Sequence, residues 1–231
     1  MRLDLPIGEV DVWTIVLDLA YADTAAAALL DAPETVRAAR FVFERDRHAY
    51  ILGHAALRRI LGGYLGMAPA AVQISPSHEG KPELPEFRGL RFNMSGSGHI
   101  AIIAVARDRE VGVDVEQIRP MHDLDGVAKM ILSSAEYAHF STYPESGGLD
   151  LVLGAWTRKE AYLKALGEGL QRPLPRLECS ALLGSSVDAM RDADDASASE
   201  RWGMHSWSPA SGYRAALAVE RPISTILFRS Y

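Results

Sequence analysis

The chain holds one cysteine, Cys179, among 231 residues. That excludes an intramolecular disulfide and a cysteine-built zinc cluster, and it reads as a small buried thiol in a protein of the reducing cytoplasm. Positive charge is also scarce. Against 30 Asp and Glu there are 24 Lys and Arg, a formal charge of −6, so no general basic field exists for nucleic acid, although a local pocket for one small phosphorylated ligand is compatible with that total. Long apolar runs are missing too: the stretch 10–30 is interrupted by Asp11, Asp18 and Asp23, which argues against a membrane span and against a signal peptide. No Gly-Lys-Ser or Gly-Lys-Thr occurs, so there is no P-loop. Neither Ser95 nor Ser97 stands in Gly-x-Ser-x-Gly, because positions 93 and 95 are Asn and Ser, and the hydrolase elbow is absent.

What remains is an ordinary soluble composition, 48% apolar and 23% charged, enough for one large or two small domains and expected to be monomeric. Taken in order, residues 10–19 read as a strand covered on both faces. An alanine-rich turn follows, then a helix over 34–43 opened by Pro33. Asp46 is placed to cap a helix over 47–65, whose Tyr50, His54, Leu57, Leu61 and Tyr64 read as core scaffold. His78 to Pro82 reads as a turn. The strand 100–106 and the run 111–116, separated by four polar residues, read as a hairpin with Ser95 near one end. Two short helices are expected at 124–132 and 134–140, a loop through Pro144, a long helix at 151–170 capped by Asp150, a strand at 177–183, a solvated loop at 185–200 and a closing hairpin at 202–207 and 213–219.

Two of these stretches carry chemistry. In Val111-Gly112-Val113-Asp114-Val115-Glu116 the acids stand at i and i+2, so a strand points both to one face, away from the valines. On the helix 151–170, Glu160 and Lys164 are one turn apart on one face, stopped by Gly167. Such a Glu–Lys pair is commonly a surface ion pair adding about 0.2–0.5 kcal/mol. Beside a strand with two further carboxylates it completes an oxygen-only site of the kind magnesium takes, the rest of its octahedron being filled by water and phosphate oxygens.

Gly112-Val113-Asp114-Val115-Glu116 followed by Trp156-Thr157-Arg158-Lys159-Glu160-Ala161-Tyr162-Leu163-Lys164 resembles the paired signature of the Sfp-type 4′-phosphopantetheinyl transferases, in the branch marked by Trp and Lys-Glu-Ala. The resemblance extends back through Phe92-Asn93-Met94-Ser95, Gly80-Lys81-Pro82 and Phe41 to Asp46. It implies an α/β (α+β) fold of two similar, pseudo-twofold subdomains, about 1–115 and 116–231, each an antiparallel sheet packed with helices. It implies magnesium-dependent transfer of phosphopantetheine from coenzyme A to a serine of an apo acyl or peptidyl carrier protein, with release of adenosine 3′,5′-bisphosphate. By similarity Asp114, Glu116 and Glu160 hold the metal, and Lys164 contacts phosphate oxygens. Glu160 is metal ligand, proton acceptor or both. Arg37, Lys81, Pro82, Ser95 and Asp114 belong to the coenzyme A site.

One position departs from the family: its usual His after the serine is Gly96 here, which removes one contact to the 3′-phosphate, and His99 reads as structural. Glu136 corresponds to an acid often present in the family but at a helix start also suits the dipole. Met121, Met130, Ile131 and Tyr137 are candidates for a carrier surface. Two other functions use the same residues: a magnesium-dependent phosphodiesterase or pyrophosphatase, and a non-catalytic coenzyme A-binding protein.

Overall fold

The computed structural model describes residues 5–20, 24–143, 145–168, 172–179, 182 and 188–231. In chain order the first half runs β1 (Glu9–Val16), α1 (Thr24–Ala27), α2 (Ala32–Ala38), α3 (Glu44–Leu65), β2 (Ser75–Pro76), β3 (Pro82–Glu83), β4 (Leu90–Ser97), β5 (Ile100–Arg107) and β6 (Val111–Gln117). The second half adds α4 (Leu124–Ile131), α5 (Ser134–Phe140), α6 (Glu145–Leu166), β7 (Leu177–Cys179), β8 (Met190–Asp192), α7 (Ala198–Arg201), β9 (Trp202–Trp207), β10 (Tyr213–Glu220) and β11 (Thr225–Ser230).

Side-chain alternation builds four layers, helix, sheet, sheet, helix. In β5, Ala101, Ile103 and Val105 join the core beneath α3, while Ile100, Ile102, Ala104 and Ala106 join a second core with Val111, Val113 and Val115 of β6 and Leu217 of β10. A strand buried on both faces needs this continuous apolar run. One sheet has the order β11-β1-β5-β4 and the other β6-β10-β9. All pairings are antiparallel except β1 with β11. Over the second sheet lies α6, whose Val152, Ala155, Tyr162 and Leu163 are fully buried. The mixed α/β class with antiparallel sheets is therefore as expected. The proposed division at 115 and 116 falls inside β6, and β11 from the second half pairs with β1 of the first.

Several local expectations change. The 100–106 and 111–116 strands form no hairpin: β5 lies between β1 and β4, and β6 pairs with β10. The connecting turn, with Asp108 at φ 54°, carries the chain from one sheet to the other. Asp46 sits inside the first turn of α3, which starts after Phe43 without a side-chain cap. The helix α2 ends at Ala38, short of 43, and its cap is Asp31 in a capping box with Glu34. Asp150 lies within α6, not at its start, and pairs with Arg214 at 2.7 Å. The expected loop at 185–200 contains β8 and α7, and β11 has no counterpart in the sequence reading. Pro144 and residues 169–170, 180, 181, 183 and 185–187, which fall in the expected loops, helix and strand, lie outside the described residues.

Candidate active site

A glycine decides how the acids meet the helix. A Cβ at Gly112 would stand 2.1 Å from the Ala161 carbonyl oxygen and 2.4 Å from the Ala165 nitrogen. Only a residue without one lets α6 lie directly on the β6 backbone. That close approach sets Lys164 against Asp114: its ammonium donates to Asp114 Oδ1 at 2.6 Å and to Ser95 Oγ at 3.1 Å. Ser95 donates in turn to Asp114 Oδ1 at 2.8 Å and accepts the Val115 N–H at 3.3 Å. Its hydroxyl is fully used inside the protein. It lies within β4 and is buried, not at a hairpin end.

Three carboxylates share the electrostatics of this spot. Burial pushes Asp114 up from the ordinary carboxylate range, opposed by Lys164. Burial likewise raises Glu116, opposed by its bond from Ser97, with Asp114 adding to the rise. Glu160 is pushed up to about 7, by burial first and then by the negative charge of Asp114, with Lys164 opposing. Burial is the main cause for all three, and repulsion from Asp114 adds to it for Glu116 and Glu160. Two of their oxygens, Asp114 Oδ2 and Glu160 Oε1, are buried without a hydrogen-bond partner. Buried polar atoms are rarely left so, and an orphaned oxygen marks a place for a ligand, ion or water. Among the described residues no three acids, histidines or cysteines close around one point as a finished metal site. The donor chemistry nevertheless fits a small hard cation: all oxygen, anionic, and with two oxygens unclaimed.

Next to the acids is a cavity of ≈530 Å³, walled by Arg37, Arg45, Tyr50, His54, Pro82 and Arg119 among others. Ser97 lines it and also donates to Glu116 Oε2 at 2.9 Å, so the cavity and the acids meet there. Arg37 stands over the Tyr50 ring, 5.5 Å from its centroid, and His54 stacks on the same Tyr50 ring with centroids 3.8 Å apart. Tyr50 and His54 are therefore cavity wall and not plain core. Their helical spacing hid this, because a stripe facing a cavity and a stripe facing core have the same period. Arg45 and Arg119 were also missed. Arg45 stands within the Phe41 to Asp46 stretch of the resemblance, whereas the signal available for Arg119 is positive charge in an acidic chain.

Gly96 faces this cavity, and a Cβ there would meet nothing closer than 3.7 Å. Space for the missing imidazole is present. His99 does not supply it, since its ring is 2.8 Å from the Tyr213 hydroxyl. Lys81 uses its ammonium elsewhere, donating to Glu110 at 2.8 Å and to the carbonyls of Val111 at 3.1 Å and Ala165 at 2.9 Å. It fastens the start of β6 to the end of α6. Burial lowers its pKa, with Glu110 opposing. Lys159 and Glu136 form a separate, completely buried pair at 2.6 Å.

Residues 21–108 match the family described as 4′-phosphopantetheinyl transferase, N-terminal, and residues 110–218 match the 4′-phosphopantetheinyl transferase superfamily. The 4′-phosphopantetheinyl transferase HetI of Nostoc sp. is 38% identical over 175 residues, 74% of each chain. This chain belongs to the 4′-phosphopantetheinyl transferase superfamily, in its Sfp type. The transferase is also 29% identical over 135 residues to the 4′-phosphopantetheinyl transferase Sfp of Bacillus subtilis, across 58% of this chain and 59% of that one. Another relative, L-aminoadipate-semialdehyde dehydrogenase-phosphopantetheinyl transferase of Homo sapiens, is 26% identical over 63% of this chain and 50% of its own. The matched regions contain every acid of the cluster and most of the transferase's cavity wall.

Proposed function

We propose that the protein transfers 4′-phosphopantetheine from coenzyme A to a serine of an apo carrier protein, with magnesium at the acid cluster. The observation that carries this reading, beside family membership, is the pair of orphaned carboxylate oxygens, Asp114 Oδ2 and Glu160 Oε1, in the acid group shared with Lys164 and next to an arginine-walled cavity. The nucleotide end of coenzyme A is assigned to that cavity, with Arg37 toward its phosphate and Pro82 against the base. Lys81 supports the cavity through the β6–α6 junction, and Ser95 acts by holding Asp114 and Lys164.

Bound to Asp114, Glu116 and Glu160, magnesium supplies neutralisation of the diphosphate oxygens. The chain's own groups perform the rest. The carrier serine Oγ forms a bond to the phosphorus of the pantetheine phosphate, and the bridging P–O bond breaks with its electron pair leaving on adenosine 3′,5′-bisphosphate. Lys164 stabilises the negative charge that develops on that leaving group. Glu160 takes the serine proton directly or through one water. Of the apolar residues considered for the carrier, Met121 and Met130 are exposed, whereas Ile131 is core. The carrier surface is thereby reduced to the two methionines and the half-buried Tyr137. The chain acts as a monomer in the cytoplasm on small nucleotide and protein substrates. No described helix is long and apolar enough to cross a membrane.

The test is incubation with coenzyme A, magnesium and a panel of apo acyl and peptidyl carrier domains, read by intact mass. The expected result is one phosphopantetheine added to a carrier. Phosphopantetheine released without a carrier would instead indicate a hydrolase. Binding of coenzyme A with no turnover on any carrier would indicate a sensor.

A further inference from the structure

The two sheets meet at β4 and β6 without a backbone ladder. Along this seam the side chains of β4 take the place of carbonyls. Asn93 Oδ1 accepts the Val113 N–H at 2.9 Å, Ser95 Oγ the Val115 N–H at 3.3 Å, and Ser97 Oγ the Gln117 N–H at 3.1 Å. The acceptors advance by two residues on β4 as the donors advance by two on β6, so the period-2 face of one strand is matched to the amide row of the other. The serines then donate onward, Ser95 to Asp114 Oδ1 at 2.8 Å and Ser97 to Glu116 Oε2 at 2.9 Å. Each serine therefore ties an amide and a carboxylate of the same strand to a single hydroxyl.

Resting on the transferase reading, we propose that Ser97 is a positioning residue for the reaction, fixing the Glu116 carboxylate at the boundary between the nucleotide cavity and the acid cluster. Two observations carry it. Ser97 is a wall of the cavity as well as the donor to Glu116. Its hydroxyl has one hydrogen to give, and the accepted Gln117 amide turns that hydrogen toward Glu116. Loss of the serine donor frees the carboxylate to turn away from the diphosphate without opening a cavity in the core. Ser95 does not duplicate this, because it bonds Asp114 and Lys164.

The experiment is a double-mutant cycle of Ser97→Ala with Glu116→Gln, with Ser97→Thr as the conservative variant. Ser97→Ala is expected to lower kcat roughly tenfold to a hundredfold, the range of one charge-assisted hydrogen bond, with less effect on KM for the carrier. It should also weaken magnesium binding in the presence of coenzyme A, measured by calorimetry without a carrier. Ser97→Thr keeps the hydroxyl and should restore both. In the Glu116→Gln background Ser97→Ala should add nothing further, since contacts acting through one group are not additive. Additive losses in the cycle, or an unchanged calorimetric midpoint, would overturn the assignment. So would a kcat loss matched by a fall in melting temperature that threonine does not repair. If wild-type protein transfers nothing to any carrier, the transferase reading itself fails, an outcome distinct from these.

Discussion

Two lysine–carboxylate pairs lie five residues apart on α6 and differ in every respect that matters. Lys159 meets Glu136 at 2.6 Å with both side chains at 0% exposure. Its ammonium also donates to the Ile131 carbonyl, while Glu136 accepts the N–H groups of Ser133 and Cys179. Every oxygen there has a partner. Lys164 meets Asp114 at the same 2.6 Å, but with 28% of the lysine side chain exposed and with Asp114 Oδ2 unpartnered. The first pair is closed and ties α5, β7 and α6 together. The second is open: its lysine is partly exposed and one of its carboxylate oxygens is unclaimed. Distance alone does not separate scaffold from site, whereas the completeness of the hydrogen bonding does.

The contrast can be broken at either end. Lys159→Met leaves the Glu136 carboxylate buried without its counter-charge, a loss of about 3–5 kcal/mol. Denaturant unfolding should show that loss, or no soluble protein at all, and an unchanged midpoint would contradict the closed-pair description. Lys164→Ala should weigh on function first, with transfer to a carrier falling by at least about a hundredfold, as for loss of an electrostatic stabiliser, while the unfolding midpoint falls by less than in Lys159→Met because the Lys164 end of the pair is 28% exposed. A fully active Lys164→Ala protein would remove the open pair from the mechanism.

The smallest effect sharpens the comparison through pH. Glu160 is raised from the ordinary 4.5 to about 7, so between those values the folded chain binds more protons than the unfolded one. Stability of the metal-free protein must then decline as pH rises through that window. In Glu160→Gln this part of the decline should vanish. The variant is expected to melt a few degrees above wild type at pH 8, where about 1 kcal/mol moves a domain of this size by roughly 2–4 °C, and to match it near pH 4.5. Parallel melting curves at all pH values would show that Glu160 carries no such burden.

Much of the site was legible because its chemistry is short-range in sequence. The i and i+2 acids of β6 and the i and i+4 pair of α6 follow from strand and helix periods, and both elements are present. The seam was not legible. Reading 100–106 and 111–116 as a hairpin was reasonable for two apolar runs around a polar turn, but pairing is settled by which edges are free, and β4 and β1 had taken both edges of β5. Ser97 was dismissed with the hydrolase motif, although its task is defined by a strand twenty residues on. The sequence also marked Cys179 as a buried thiol; it is 0% exposed, and burial pushes its pKa up.

By itself the chain dictated most of its longer helices and strands, its two acid-bearing signatures and the alternation that makes sheets buried on both sides, since these depend only on local geometry and on apolar residues leaving water. Tertiary packing decided the rest. It chose which edge β6 would face, and the bare backbone at Gly112 allowed α6 close enough for Lys164 to reach Asp114. It also sent β11 back to β1 and turned Tyr50 and His54 from apparent core into cavity wall. These outcomes depend on contacts between residues far apart in the chain, for which no local period or propensity provides a signal.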